Sequence, residues 1–175
     1  MAHFKNTPDE WQRLDFQILQ NGAVSLYFDK SILADDIVWL KDNGYVVLPL
    51  DASHWKSEND FHRNMSTDLR FPVYYGENLN AFNDCISELE ISESDGGCAI
   101  QLLGFDKPAS ALPDFAHGIL DIIETNSRRF LLTGQRLIAL VQTDDPKLSF
   151  AHLGCSSARW NSKEWLNKER GLESD

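Results

Sequence analysis

The chain has 175 residues, which is enough for one domain with a substantial apolar core. Its 27 acidic residues outnumber its 16 lysines and arginines and give a formal charge of −11. Binding of nucleic acid needs clustered cations, so this balance predicts no direct nucleic-acid partner and is compatible with a basic protein partner. An acidic balance is also common among soluble proteins, where it reflects solubility before function.

The three cysteines, Cys85, Cys98 and Cys155, are irregularly spaced, which favours reduced thiols over a disulfide framework or a zinc site. The histidines show no metal-ligand spacing and no glycine pattern of a nucleotide-binding loop occurs, so we expect neither a metal nor a cofactor. Residues 1–12 are polar and unlike a secretion signal, and no stretch approaches the roughly 20 apolar residues that span a bilayer. These features predict a cytoplasmic protein with no membrane partner.

Strands and helices are predicted in alternation from the start of the chain. Residues 24–28 have the pattern of a strand, and Ser31 can cap a helix that Gly44 ends. Residues 45–50 form an almost continuous apolar run, which is typical of a strand covered on both faces. We therefore expect this strand to lie centrally in a parallel sheet.

The following elements are a helix and then a further strand and helix. Ser57 and Asp60 have the spacing of a capping box, and the helix that they begin has to end before Pro72. After a second helix, residues 98–103 form another apolar run, and a loop with prolines leads into a helix that begins at Pro113.

The end of the chain is predicted to contain a last strand and a short tail. Residues 137–141 have the pattern of a strand, and a turn leads into residues 148–153, which suggests an antiparallel hairpin. Residues 162–170 are compatible with a short helix that docks through Trp165 and Leu166, or with an extension that contacts a partner.

This element order predicts an α/β layered fold in which helices flank a small, mainly parallel sheet. No repeat or flexible linker divides the sequence, so we expect a single domain over residues 1–175. Its core is expected at about residues 44–142, with extensions at residues 1–43 and 143–175.

Residues 72–90 read PVYYGENLNAFNDCISELE, where Gly76 permits a sharp or left-handed turn before a helix. At about 100° per residue, one face of that helix is apolar and consists of Leu79, Phe82, Ile86 and Leu89. The opposite face contains Glu77, Asp84 and Glu88, with Asn80, Asn83 and Ser87 on its flanks. By spacing alone, such charges are the solvated side of an amphipathic helix.

The same segment resembles the signature of the barstar family of ribonuclease inhibitors. The resemblance rests on the strings YYGENL and NAFNDC, in which the matching residues are Tyr74, Tyr75, Gly76, Glu77, Asn78, Asp84 and Cys85. It is clearest over residues 45–89 and extends in element order to residue 141. It implies a barstar-like fold, and an acidic helix that enters a ribonuclease active site in place of the substrate phosphates.

The resemblance also implies which residues face the enzyme. Asp84 falls on the family's anchoring aspartate, and Tyr74 on the tyrosine that packs against the enzyme's catalytic region. Asn80 and Asn83 replace a family acid and a family tryptophan, which indicates a different target. Glu124 or Asp121, on the exposed side of the later helix with Asp114 and His117, is expected to supply a further acid. The predicted partner-binding set is Tyr74, Tyr75, Asn80, Asn83, Asp84, Ser87, Glu88 and Glu124.

The predicted function is therefore inhibition of a bacterial ribonuclease toxin by an immunity protein. The alternative is an immunity or regulatory protein for a toxin that is not a ribonuclease, or for another protein partner. An enzyme that uses Cys85 or a pair of acids is disfavoured, because a free cysteine is usually a small buried apolar residue. We expect no catalytic residue.

Overall fold

A computed structural model describes residues 4–91 and 96–171. Strands and helices alternate through the middle of the chain, as the sequence predicts. The strands are β1 (Val24–Tyr27), β2 (Tyr45–Asp51), β3 (Gly97–Leu103), β4 (Leu137–Gln142) and β5 (Arg159–Trp160). The α-helices are α1 (Pro8–Trp11), α2 (Leu14–Leu19), α3 (Lys30–Asp42), α4 (Glu58–Asp68), α5 (Leu79–Ser87), α6 (Asp106–Ala111) and α7 (Pro113–Leu132), and 3₁₀ turns cover Ala52–His54, Ser162–Leu166 and Lys168–Arg170.

The five strands form one sheet in the order β2-β3-β4-β1-β5, and every described pair is parallel. Apolar side chains cover both of its faces, as a parallel sheet requires. On one face, α4, α5 and α7 contribute Phe61, Phe82 and Ile119 to the larger core. On the other, α2 and α3 contribute Ile18 and Leu33 to a smaller one. The predicted α/β layered fold is confirmed.

The predicted central position of the strand at residues 45–50 is wrong, because β2 lies at an edge of the sheet. Val46 is exposed on this edge strand. Pro49 lies within β2, and proline is confined to edge strands because it has no N–H to donate to a second neighbour. Pro49 therefore indicated an edge strand in the sequence, whereas the apolar composition of residues 45–50 favoured a central one.

Two further differences concern the connections. The predicted antiparallel hairpin at residues 148–153 is wrong: the described chain forms only an isolated bridge between Leu153 and Ser156 there, and the short β5 pairs in parallel with β1. The proline-containing loop before Pro113 includes helix α6, in which Pro108 is the third residue. Proline is tolerated there because the first turn of a helix has no internal partner for its N–H groups.

Buried polar side chains hold the segment after β5 to the sheet. Glu164 is fully buried, and its carboxylate accepts hydrogen bonds of 2.8 Å from the backbone N–H groups of Phe28 and Asp29. Trp165 and Leu166 are exposed, so the prediction that they dock the tail is wrong. The acidic residue immediately before Trp165 makes the contact instead.

We expect Glu164→Ala to lower the free energy of unfolding by about 1–3 kcal/mol, because it leaves two backbone donors without their acceptor. Urea unfolding of the two proteins measures this difference. Glu169→Ala, which removes an exposed carboxylate from the neighbouring 3₁₀ turn, is the matched control and should change stability by less than about 0.5 kcal/mol. An equal loss in both variants would contradict this role of Glu164.

Candidate functional site

Helix α5 begins in a tight turn that its own polar groups stabilise. Asn78 is the N-cap, and its side chain accepts a hydrogen bond from Ala81 N–H at 3.0 Å and donates one to the Gly76 carbonyl at 2.8 Å. The left-handed residue is Glu77, with φ of 46°, rather than Gly76. Gly76 instead allows a close approach, since a Cβ there would lie 3.2 Å from Asn78 Nδ2.

The inward face of α5 is the one that the apolar spacing predicts. Phe82 and Ile86 are fully buried, while Leu79 and Leu89 are partly buried against the same core. The Phe82 ring meets the Phe61 ring of α4 edge to face, with centroids 5.0 Å apart. This packing fixes the rotation of α5 about its axis, so the opposite face has to point outward.

The outward face of α5 is acidic. On the helix, Asn80 and Asp84 are exposed, and Asn83 and Ser87 are half-buried beside them. Glu88 is exposed at the C-cap, and Glu77 is exposed in the turn before the N-cap, so its predicted position on a helix face is wrong. Together these residues form the acidic face of α5. Within residues 4–91 and 96–171, neither Asp84 nor Glu88 is in an ion pair, so both carboxylates remain open to a cationic partner.

Cys85 lies beside this acidic face. Burial raises the pKa of its thiol, and the neighbouring carboxylates of Glu88 and Asp84 raise it further. A thiol in such surroundings is less ionised than usual, whereas a nucleophilic cysteine needs a thiolate.

Two adjacent tyrosines, Tyr74 and Tyr75, precede α5 and differ in exposure. Tyr74 is 84% exposed, whereas Tyr75 is half-buried and packs on Phe71 with ring centroids 4.9 Å apart. The Tyr75 hydroxyl lies 2.5 Å from Nδ1 of the buried His62. Burial raises the pKa of Tyr75 and lowers that of His62, although Glu58 and Glu77 act on His62 in the opposite sense. Two neutral rings therefore anchor the loop that presents Tyr74.

Helix α7 borders the acidic face of α5 through a chain of polar contacts. The Asn83 side-chain oxygen accepts a hydrogen bond of 2.9 Å from Nδ2 of the buried Asn126, and the exposed Arg129 donates to Asn126 Oδ1 at 3.4 Å. Sequence reasoning missed Asn126 and Arg129. The spacing of Ile122, Asn126 and Arg129, four and then three residues apart, was the available signal that they share one side of α7.

The prediction that Glu124 lies on the exposed side of α7 is wrong. Its side chain is buried, and its carboxylate accepts a hydrogen bond from the backbone N–H of Ala23. Burial raises its pKa. Asp121 is half-buried and accepts a hydrogen bond of 2.6 Å from Gly154 N–H. Both acids serve internal contacts, so the exposed charge of α7 next to Asn83 is the arginine.

The acidic face of α5, the tyrosine loop and the flanking strands fall within one family match. The family model described as barstar, the barnase inhibitor, matches residues 33–142. The chain belongs to the barstar family. No curated protein matches the chain.

The barstar-family match extends from within α3 to the end of β4. Strands β1 and β5 lie outside it, yet β1 pairs with β4 over four residues and so extends the family sheet. Among the residues that the structure describes, no group of His, Cys, Asp or Glu side chains is arranged to hold a metal ion. No helix of the described segments has the length and apolar character needed to cross a membrane.

The protonation of His62 should influence stability. Since its pKa is lowered in the folded state, the stabilisation due to its neutral ring is present above the unfolded pKa of about 6.5 and is lost as the pH falls through the folded value. As the pH falls from about 7.5 to 5.5, we therefore expect the free energy of unfolding of the wild type to fall relative to that of His62→Gln.

Urea unfolding across this pH range measures the effect. His54→Gln is the control, because His54 is exposed. Glu124, whose pKa is raised, titrates in all three proteins and does not affect the comparison. The same pH dependence in His62→Gln and in the wild type would contradict the role of His62.

Proposed function

We propose that this barstar-family chain is an immunity protein that binds a bacterial ribonuclease toxin and occludes its active site. The observation that supports the proposal is the exposed acidic face of α5 beside the exposed Tyr74. A ribonuclease active site binds phosphates with cationic side chains, and carboxylates in the same places form charge-assisted hydrogen bonds with them. Asp84 is the proposed anchor.

The rigidity of the α5 surface favours tight binding. Phe82 and Ile86 hold the helix in the core, Asn78 caps it, and Tyr75 is held by His62. A surface that is already ordered loses little conformational entropy when a partner docks. Asp84 and Tyr74 can therefore meet an enzyme without rearrangement of the backbone.

The charge of the chain favours rapid association. The formal charge of −11 attracts a basic enzyme before the two proteins touch, although dissolved salt screens this attraction at longer distances. The acidic face of α5 orients the two proteins as they meet. Complementary charge raises the association rate more than it raises the affinity. An inhibitor that guards a cell against a nuclease benefits from this speed.

The composition of the proposed surface indicates what the partner presents. Asn80, Asn83 and Ser87 are neutral, so the contact depends on hydrogen bonding around the charges of Asp84 and Glu88. The exposed Arg129 at the border with α7 favours an acidic or acceptor group on the enzyme at that point. We propose a target that differs from barnase in this part of its surface.

We place this protein in the cytoplasm. Cys85, Cys98 and Cys155 form no disulfide within the described structure, which suits a reducing compartment. An inhibitor in that compartment meets the nuclease before the enzyme can act on cellular RNA.

Asp84→Ala should weaken binding to the cognate ribonuclease by roughly 2 to 5 kcal/mol, which is the range for truncating one member of a buried charged pair. Barnase–barstar complexes are among those from which this range comes. The loss should lie mainly in faster dissociation. Surface plasmon resonance with the cognate ribonuclease, captured from the source organism with this chain as bait, measures both rates.

The matched control is Asp35→Ala, which removes one exposed carboxylate from α3 on the other face of the sheet. It should leave dissociation unchanged. Equal dissociation rates for Asp84→Ala and the wild type would contradict the proposed anchor. A captured partner that binds through Asp84 but cleaves no RNA would contradict the ribonuclease assignment and favour the alternative of a different toxin.

A further inference from the structure

A second surface, of opposite charge, lies along the C-terminal half of α7 and reaches the border with α5 at Arg129. There a cleft of about 840 Å³ is bounded by the end of α7, residues 20–23 before β1 and residues 152–159. Arg128, Arg129, Arg159 and His152 line it. In the described part of the chain, neither Arg128 nor Arg159 forms an ion pair.

Burial raises the pKa of Glu124 and the charge of the nearby Arg128 acts in the opposite sense, but no carboxylate lies within ion-pair distance of either arginine in the described residues. This is unexpected in a chain whose acids outnumber its lysines and arginines by 27 to 16. By contrast, the side chains of Arg13 and Arg136 both contact the buried Asp15. Glu124 also lines the cleft, but it is 2% exposed and its carboxylate accepts the Ala23 N–H. The exposed charge of the cleft is therefore cationic.

An aromatic cleft of about 350 Å³ adjoins the cationic one. The two share Arg159 and residues 20–22. Trp11 and Trp165 line the second cleft and are 47% and 69% exposed. Tryptophan is enriched at binding interfaces, because its ring is apolar and its N–H can donate a hydrogen bond.

We propose that the two joined clefts bind a nucleotide unit, with its phosphate between Arg128 and Arg159 and its base against Trp11 and Trp165. Guanidinium forks match the geometry of phosphate oxygens, and indole faces stack on bases. Each cleft by itself has a volume within the range of small-ligand sites, about 300–1,000 Å³. The net charge of −11 opposes the approach of a long polyanion but acts less on a single nucleotide.

This site is argued separately from the inhibition proposed for α5, since its phosphate and base contacts are assigned to Arg128, Arg159, Trp11 and Trp165 and not to α5. Arg129 borders both surfaces. The nucleotide unit is either a free mononucleotide or part of a single RNA strand. Both sources present the same phosphate and base to the clefts. In an RNA strand, further phosphates can add to the affinity and make it depend more strongly on salt, whereas a free mononucleotide has no further phosphates.

The test is a titration of the purified full chain with four probes at low salt: uridine 5′-monophosphate, uridine, inorganic phosphate and a uridylate hexamer. Tryptophan fluorescence and calorimetry follow binding. The mononucleotide should quench fluorescence and bind at least tenfold more tightly than phosphate or uridine. If the hexamer binds more than tenfold more tightly than the mononucleotide, the site is assigned to an RNA strand. If the two bind equally tightly, it is assigned to the free nucleotide.

Variants separate the two halves of the site. Arg128→Ala and Arg159→Ala should each weaken mononucleotide binding at least tenfold, and Trp165→Leu should weaken the mononucleotide but not phosphate. Arg63→Ala, an exposed arginine of α4 outside both clefts, is the matched control and should bind as the wild type does. Thermal unfolding followed by circular dichroism checks that each variant is folded. Arg159 lies in β5, so if Arg159→Ala disturbs that strand, the result for Arg128→Ala is the one used.

Three results would overturn the site: no saturable binding of the mononucleotide or hexamer, mononucleotide binding no tighter than phosphate, or wild-type affinity in a folded Arg128→Ala. None of these would affect inhibition of a ribonuclease through Asp84.

Discussion

The packing of Phe82 and Ile86 into the core is the constraint on which the candidate site depends. These two side chains are fully buried and fix α5 against the sheet, so every outward residue of the helix has a determined position. The cap at Asn78 sets where the helix begins, and the contact of Tyr75 with His62 sets the preceding loop. The acidic face is therefore a consequence of apolar packing. Its carboxylates are displayed by a helix that the core already holds in place.

The segments outside the family match are part of the same sheet. Strand β1 lies between β4 and β5, and Glu164 fastens the chain after β5 to the residues that follow β1. Helix α7 borders two surfaces of opposite charge, the acidic face of α5 and the cationic cleft. Arg129 lies between them, since it contacts Asn126 beside α5 and also lines the cleft.

Local signals predicted α5 well, whereas positions that depend on distant partners could not be predicted. The spacing of Phe82 and Ile86 is local information, as is the capping box of Ser57 and Asp60, which the structure confirms. Glu124 is buried because Ala23, 101 residues away in sequence, needs an acceptor, and no pattern near Glu124 shows that. The edge position of β2 likewise depends on which strands pair across the sheet. Pro49 was the one local indication of it.

The central claim is that the acidic face of α5 occupies the active site of a ribonuclease. The most direct measurement titrates RNA cleavage by the cognate ribonuclease with this chain. A parallel titration follows the release of a mononucleotide bound beforehand at the active site of the enzyme. The account predicts that cleavage falls to zero at one inhibitor per enzyme and that the inhibitor displaces the mononucleotide. Unchanged cleavage, or a complex in which the mononucleotide stays bound, would contradict it.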